Sequence, residues 1–303
     1  MEKAIRIAAL LVMFWNLENF FYPSGAERFE DNPKVMTWKR FKAKRDLISK
    51  TIMAVRDQEN QYPSLVGVCE VENLRTLKNL IYDTPLSRLG YGVIHKDSPD
   101  GRGIDVALLY RREEFYIKDT SFLRIRSFQT RDILYAKGYS AKVEDTVHVF
   151  VNHWPSKLGG EKKSLGRRMQ AAKLLETAVD SILKADSDAV IIAMGDFNDS
   201  PKSAPLEHVA SLINLSAKLR DSLKGSSSEI KGTHKYNGKW EMLDQFLVSG
   251  SVRGSVGILS FGHLLQDDRK YLGNKTRRTF TGPKFEGGAS DHLPIVLKVE
   301  KKQ

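Results

Sequence analysis

The sequence predicts a sheet-rich α/β sandwich, and three observations carry that prediction. Apolar runs of strand length recur from end to end, at 10–14, 65–69, 104–110, 147–151, 189–194, 245–248 and 294–299. Helical periodicity separates only some of them, so strands outnumber helices, which argues against a simple βαβ alternation. Chemically useful polar residues flank the runs, and loops at a rigid sheet edge are common places for such groups.

The elements follow in order. The run at 7–15 comes after Lys3 and Arg6 and imitates the opening of a secretory signal. It leads straight into Asn16-Leu17-Glu18-Asn19 without a small-residue cleavage site, so it reads as a buried first strand. It is too short to cross a membrane, and a cytoplasmic chain with no transmembrane segment is expected. Beyond Asp31-Asn32, Pro33 suits the first position of a helix in which Trp38, Phe41, Ile48, Ile52 and Val55 share a face. A short helix is expected after Asn73. A longer one starts near Ser164, with Leu165, Met169, Ala172, Leu175, Val179 and Ile182 aligned, and another short one follows Pro205. The soft stretches 225–238 and 267–288 read as surface loops rather than linkers. No internal repeat is visible, so one domain over 1–303 is expected, as a monomer.

Composition removes several classes. With 28% charged residues, wholesale disorder and a multispan membrane protein are excluded. A single cysteine, Cys69, excludes a disulfide scaffold and a multi-cysteine zinc site. The net charge of +11 favours polyanionic partners.

The strand ends carry the chemistry. Asn16, Glu70, Asn152-His153 and Asp196 with Asn198 follow their strands, whereas Asp244 and Ser290-Asp291-His292 precede theirs. If the last two strands run opposite to the early ones, all of these groups meet at one rim, which a mixed sheet allows. Each alone has a plain explanation as a turn or cap residue; together, flanking apolar strands, they do not. Trp15, Trp154 and Trp240 lie beside them in sequence, while Trp38 reads as core. His95, His148, His208, His234 and His263 are expected on ordinary surfaces or in satisfied pockets. Glu70, Asp291, Asn16 and Glu18 form an oxygen-rich set suited to a hard ion, Mg²⁺ first, with Mn²⁺ and Ca²⁺ as alternatives. No Gly-x-Gly-x-x-Gly, Walker or Gly-x-Ser-x-Gly signature appears. A metal, a carboxylate able to activate water and histidines able to contact a phosphoryl group fit phosphate-ester hydrolysis.

The segments WNLENF (15–20), GVCEVEN (67–73), NHWPS (152–156), GDFND (195–199), LDQFLVS (243–249) and SDHLP (290–294) resemble, in order, the endonuclease/exonuclease/phosphatase superfamily. The resemblance implies a four-layer, deoxyribonuclease I-like α/β sandwich: two mixed, mostly antiparallel sheets face to face, with helices outside. It further implies that Asn16, Glu70 and Asp291 serve the metal, with Glu18 where some nucleases carry an aspartate. Asp196 would deprotonate the attacking water and Asn198 would orient it. His153 and His292 would contact the phosphate, with Asp244 holding His292. Arg102 falls near a phosphate-binding arginine of deoxyribonuclease I, and Asp105 is open as a partner of His153 or an ordinary strand charge.

The substrate is a separate question, because one centre serves nucleases, lipid phosphodiesterases and phosphatases. Basic residues cluster after His153 (Lys157, Lys162, Lys163, Arg167, Arg168) and before Asp291 (Arg269, Lys270, Lys275, Arg277, Arg278). Lys157, Arg167, Arg277 and Arg278, with Arg102, are the expected substrate-binding residues. Phe20, Phe21 and Tyr22 either stack on bases or belong to a core lid. A nuclease acting on DNA or RNA is the leading expectation. A phosphatase or phosphodiesterase for a small or lipid-linked phosphate, such as an inositol phosphate or sphingomyelin, is the alternative. A non-catalytic binding module on the same fold is a distant third.

Overall fold

The computed structural model describes residues 9–23, 35–157 and 160–300. Lys3, Arg6 and the expected helix start at Pro33 lie outside the described residues. The first half runs β1 (Leu10–Phe20), α1 (Trp38–Glu59), β2 (Leu65–Val71), α2 (Leu74–Tyr82), β3 (Tyr91–His95), β4 (Asp105–Arg111), β5 (Phe115–Leu123), β6 (Ile133–Ser140) and β7 (Asp145–His153). Then come α3 (Glu161–Ala185), β8 (Val190–Asp196), α4 (Ala204–His208), β9 (Ile213–Asn214), α5 (Leu215–Lys224), β10 (His234–Tyr236), β11 (Lys239–Glu241) and β12 (Asp244–Val248). The chain closes with β13 (Arg253–Ile258), β14 (Leu265–Asp267), β15 (Asn274–Thr276), β16 (Phe280–Thr281), β17 (Lys284–Phe285) and β18 (Ile295–Glu300).

Two six-stranded sheets form, ordered β13-β18-β1-β2-β4-β3 and β5-β6-β7-β8-β12-β9. Each has one parallel pair, β1–β2 in the first and β7–β8 in the second; every other neighbour is antiparallel. This is the mixed arrangement that the strand-end residues demanded. β12 and β18 run against β8 and β1, so residues before them meet residues after the others.

Strand alternation builds the layers. On β1, Leu10, Val12 and Phe14 pack between the sheets with Val149, Val151, Ile192, Met194 and Phe246. Leu11, Met13 and Trp15 point the other way, onto Phe41, Ile48 and Ile52 of α1 and Leu77 and Leu80 of α2. On the second sheet, Phe150, Ile191 and Ala193 face Ala172, Leu175 and Val179 of α3 and Leu206 of α4. The order is helix, sheet, sheet, helix. Strands buried on both faces read as continuous apolar runs, which is why they were legible.

Local signals set the helix ends. Thr37 Oγ1 accepts from Arg40 N–H (3.3 Å) to open α1, and Asn60 closes it in the left-handed region at φ 58°. Asn73 Oδ1 accepts from Thr76 N–H (2.9 Å) to open α2. Two expectations need correction. β3, β5, β6, β9 and β13 had no apolar run to announce them, because edge position and half-exposed faces leave them rich in polar residues, as in β5 and β13. The stretches 225–238 and 267–288 are not plain loops: they contribute strands to the hairpins β10–β11, β14–β15 and β16–β17. Asn237 and Gly238 turn the first of these, at φ 46° and 80°, the left-handed pair that a two-residue hairpin requires.

Candidate active site

Backbone register assembles the centre. His153 on β7 lies opposite Asp196 on β8, and Asp196 lies opposite Asp244 on β12. One row across the second sheet therefore carries three of the expected residues. Gly195 allows the close approach, since a Cβ there would sit 2.4 Å from the Asn152 carbonyl oxygen. On the first sheet the β1–β2 and β2–β4 registers break at Glu18-Asn19 and at Glu70. Such bulges re-aim side chains. Glu18, Asn19, Glu70 and, on the other sheet, Asn198 take φ of 44°, 52°, 59° and 51°. Left-handed non-glycine residues are strained, and their concentration at one spot is a mark of function.

Asn16 links the sheets: its Nδ2 donates to Glu70 Oε1 (3.2 Å) and Asp196 Oδ2 (3.0 Å), while its Oδ1 accepts from Glu18 N–H. Asn198 N–H donates to Asp196 Oδ1 (2.9 Å), and its Nδ2 is held by the Trp154 carbonyl (3.0 Å), leaving the amide oxygen to orient a water. His292 Nδ1 lies 2.7 Å from Asp244 Oδ2, and its Nε2 lies 4.0 Å from both Asp196 Oδ2 and Asp291 Oδ1. His153 Nε2 is 3.8 Å from Glu70 Oε1 and 3.7 Å from Asp196 Oδ2, and its buried Nδ1 has no hydrogen-bond partner among the described residues. Asp105 does not serve His153: it lies 3.2 Å from His95 Nε2 and accepts from Ser98 N–H.

The environments push the titrating groups apart. Burial raises the Asp196 carboxyl to about 7 against the opposing charge of His292, which suits a base working near neutrality. Burial alone would depress His292, but Asp244, with Asp196 and Asp291, holds it well above the usual histidine value. His153 falls well below that value through burial, reinforced by Arg131 and Arg102. These directions favour a neutral His153, a protonated His292 and a poised Asp196 carboxylate.

The basic residues separate into different roles. Arg102 is exposed, pairs with Asp100 (3.2 Å), and lies where two cavities meet. One, of about 540 Å³, is lined by Glu18, Phe21, Met36 and Phe280; the other, of about 340 Å³, by Phe128, Arg131 and Arg167. Arg167 lies over the Phe128 ring, Lys157 sits 3.4 Å from Asp199, and Arg277 donates to the Glu286 carbonyl. Arg168 is no surface contact: it is 1% exposed and bound to Asp199 (2.7 Å). Arg278 bridges Glu18 and Asp291. Of the three aromatics, Phe20 stacks on Phe41 in the core, Tyr22 packs on Trp38 and Phe41, and Phe21 lines the larger cavity.

Two residues escaped the sequence reading. His234 is not in an ordinary pocket: its ring lies 4.7 Å from that of His292, and its Nε2 lies 3.9 Å from Asp291. Lys44, fully buried on α1, donates to the Glu18 carbonyl and Thr279 Oγ1, each at 2.5 Å. The closeness of His234, Asp291 and His292 resembles a ligand set, but the protonated His292 is already bound to Asp244 and cannot act as a metal donor. The Glu70 carboxylate beside the Asn16 amide instead offers the hard oxygens that a divalent cation selects, with Asp291 nearby but, like Glu18, already bridged by Arg278.

The chain belongs to the endonuclease/exonuclease/phosphatase family, whose model matches residues 11–301. Membership puts it among the metal-dependent hydrolases of phosphate esters. Solved structures share its fold. The human Nocturnin catalytic domain with bound sulfate is 18% identical, at a TM-score of 0.62 over 97% of this chain and 95% of that one. Truncated Caenorhabditis elegans TDP2 is 15% identical, at 0.61 over 96% and 98%. A Bacteroides thetaiotaomicron mannosyl-6-phosphatase is 17% identical, at 0.62 over 96% and 99%. These identities carry the fold alone. No curated protein matches the sequence. Among the described residues, no helix is long and apolar enough to cross a membrane.

Proposed function

We propose that the protein is a Mg²⁺-dependent phosphodiesterase that cleaves nucleic acid by in-line attack of water. The observation that carries the reaction is the row His153–Asp196–Asp244 with His292 behind it, in which His153, Asp196 and His292 are pushed in different directions by burial and by the neighbouring charges. Glu70 would hold the cation, with Asn16 orienting its carboxylate and Asp291 nearby; when bound, that cation supplies Lewis-acid polarisation of a phosphoryl oxygen. Asp196 takes the proton of the attacking water while the Asn198 amide oxygen aims it at phosphorus. His292, through Nε2–H, and His153 donate hydrogen bonds to the phosphoryl oxygens as charge develops there, where preorganised donors act most strongly.

Nucleic acid is supported by the two cavities that adjoin at Arg102. They form a path wider than one phosphate, with guanidinium groups at Arg102 and Arg167 and aromatic rings at Phe21, Phe128 and Phe280. Alternating cationic and stacking groups suit a strand. The test is salt dependence of binding by the inactive Asp196→Asn protein. Log K on a polynucleotide falls linearly with log salt, by about 0.9 per phosphate contact on duplex or 0.7 on single strands. Replacing Arg102 and Arg167 together by alanine flattens that slope by about one to two units for all sequences alike. A flat response on every polynucleotide, with efficient turnover of a sugar, inositol or lipid phosphate, transfers the assignment to the phosphatase alternative.

A further inference from the structure

We infer that Arg278, backed by Lys44, is a built-in cation that occupies the position between Glu18 and Asp291 where a second divalent ion would otherwise bind, so that the centre works with one ion. The inference rests on reading the site as a divalent-metal phosphoesterase.

The geometry is that of a filled site. Arg278 Nε donates to Glu18 Oε1 at 3.0 Å and its Nη2 to Asp291 Oδ2 at 2.5 Å, so one guanidinium spans two carboxylates that are 273 positions apart in sequence number (291 − 18). The other oxygen of Glu18, Oε2, accepts the Thr279 N–H at 2.7 Å. A hard divalent ion needs about six oxygen ligands, and three of the four carboxylate oxygens at this position, both of Glu18 and Oδ2 of Asp291, already accept from N–H groups. Lys44 adds a second positive charge. It reaches from α1 to the Glu18 carbonyl, which the left-handed backbone at φ 44° turns toward it, and it also donates to Thr279 Oγ1. Residues 278 and 279 are therefore tied to Glu18 by side chain and main chain alike. Glu70 is bound differently: among the described residues its direct partners are the Asn16 amide and the Asn19 N–H, with His153 nearby, and Arg278 and Lys44 act on it only at longer range, without a direct ion pair. The acidic groups divide into one position left for a cation and one already neutralised.

Arginine suits the second position because its planar fork matches two carboxylates at once and stays protonated at any working pH. It also stays put when free metal falls. The Arg278 side chain is 43% exposed on its outer side, so substitution there need not disturb the core.

The experiment counts bound Mn²⁺ on the full chain, by calorimetry and by the electron paramagnetic resonance signal of the free ion. Wild type binds one Mn²⁺. Arg278→Gln, which removes the charge and keeps hydrogen-bonding capacity, binds two, and Arg278→Lys restores one. Adding Glu18→Gln to Arg278→Gln returns the count to one, because the unmasked position loses its anionic ligand. Two ions on wild type overturn the inference whatever the variants do, and so does a single ion on a folded Arg278→Gln protein. The count is independent of turnover: failure to hydrolyse any phosphate ester would overturn the proposed function, while the stoichiometry alone decides the role of Arg278.

Discussion

Replacing Asp196 by asparagine lowers turnover by a factor on the order of 10² or more, the scale of a lost general base, and leaves the protein folded and more stable at alkaline pH. The two effects share one cause. Asp196 is 2% exposed, and its carboxyl is raised to about 7 from 3.8, chiefly by burial. The folded state therefore binds a proton more tightly than the unfolded chain between about pH 4 and 7, and stability declines as pH rises through that window. Above it, the ionised carboxylate weakens the native state by up to roughly 4 kcal/mol at about 1.4 kcal/mol per unit. Asparagine imitates the protonated form and removes the penalty. Thermal melts in chelator at pH 5 and pH 8 check this: the variant gains on wild type at pH 8 and much less at pH 5. Near-normal turnover by the variant would remove Asp196 from the mechanism.

Replacing His292 by alanine fails in the opposite way, losing activity and stability together. Asp244 is fully buried, its Oδ2 is paired to His292, and its Oδ1 has no hydrogen-bond partner among the described residues. Deleting one member of a buried pair costs about 3–5 kcal/mol, because the remaining charge is stranded. Turnover falls by about 10²–10³, as for a lost oxyanion donor. Adding Asp244→Asn restores much of the stability and none of the activity, so chemical denaturation of the single and double variants separates the two contributions. The sign in pH follows from the raised pKa: stability from the pair is complete below about 6.5 and is lost as pH rises through the higher folded-state value. Equal stability of His292→Ala and the double variant would contradict this account of the pair.

The sequence and the structure agree where burial writes itself into composition. β1, β2, β7, β8, β12 and β18 lie in sheet interiors, so their residues are mostly apolar on both faces, and the polar residues that flank them stand out. Glu70, Asp196, Asp244 and His292 were legible for that reason. What was not legible depends on distant partners. Lys44 looks like any lysine on a helix, and only the folded chain shows it 0% exposed against Glu18. His234 sits in a polar stretch, and its place beside His292 arises from an isolated backbone bridge between segments far apart in sequence. Arg168 and Arg278 belong to basic runs whose members have different fates. One is buried as a structural ion pair, one binds the acidic wall, and Arg167 between them in kind stays on the surface. The hairpin at Asn237-Gly238 did carry its turn signal, but strands of three residues are too short for an apolar pattern.

The central claim is that this centre hydrolyses phosphodiesters with a divalent metal and with water activated at Asp196. Its most direct test is cleavage of an oligonucleotide and of bis-p-nitrophenyl phosphate in ¹⁸O-labelled water, after chelation and again with added Mg²⁺ or Mn²⁺. No turnover is expected in chelator, and full recovery is expected with metal. Each cleavage carries one labelled oxygen into the phosphate product, and Asp196→Asn shows almost none of this at equal metal. Turnover that persists in chelator, product phosphate without label, or an intact rate in Asp196→Asn would contradict it.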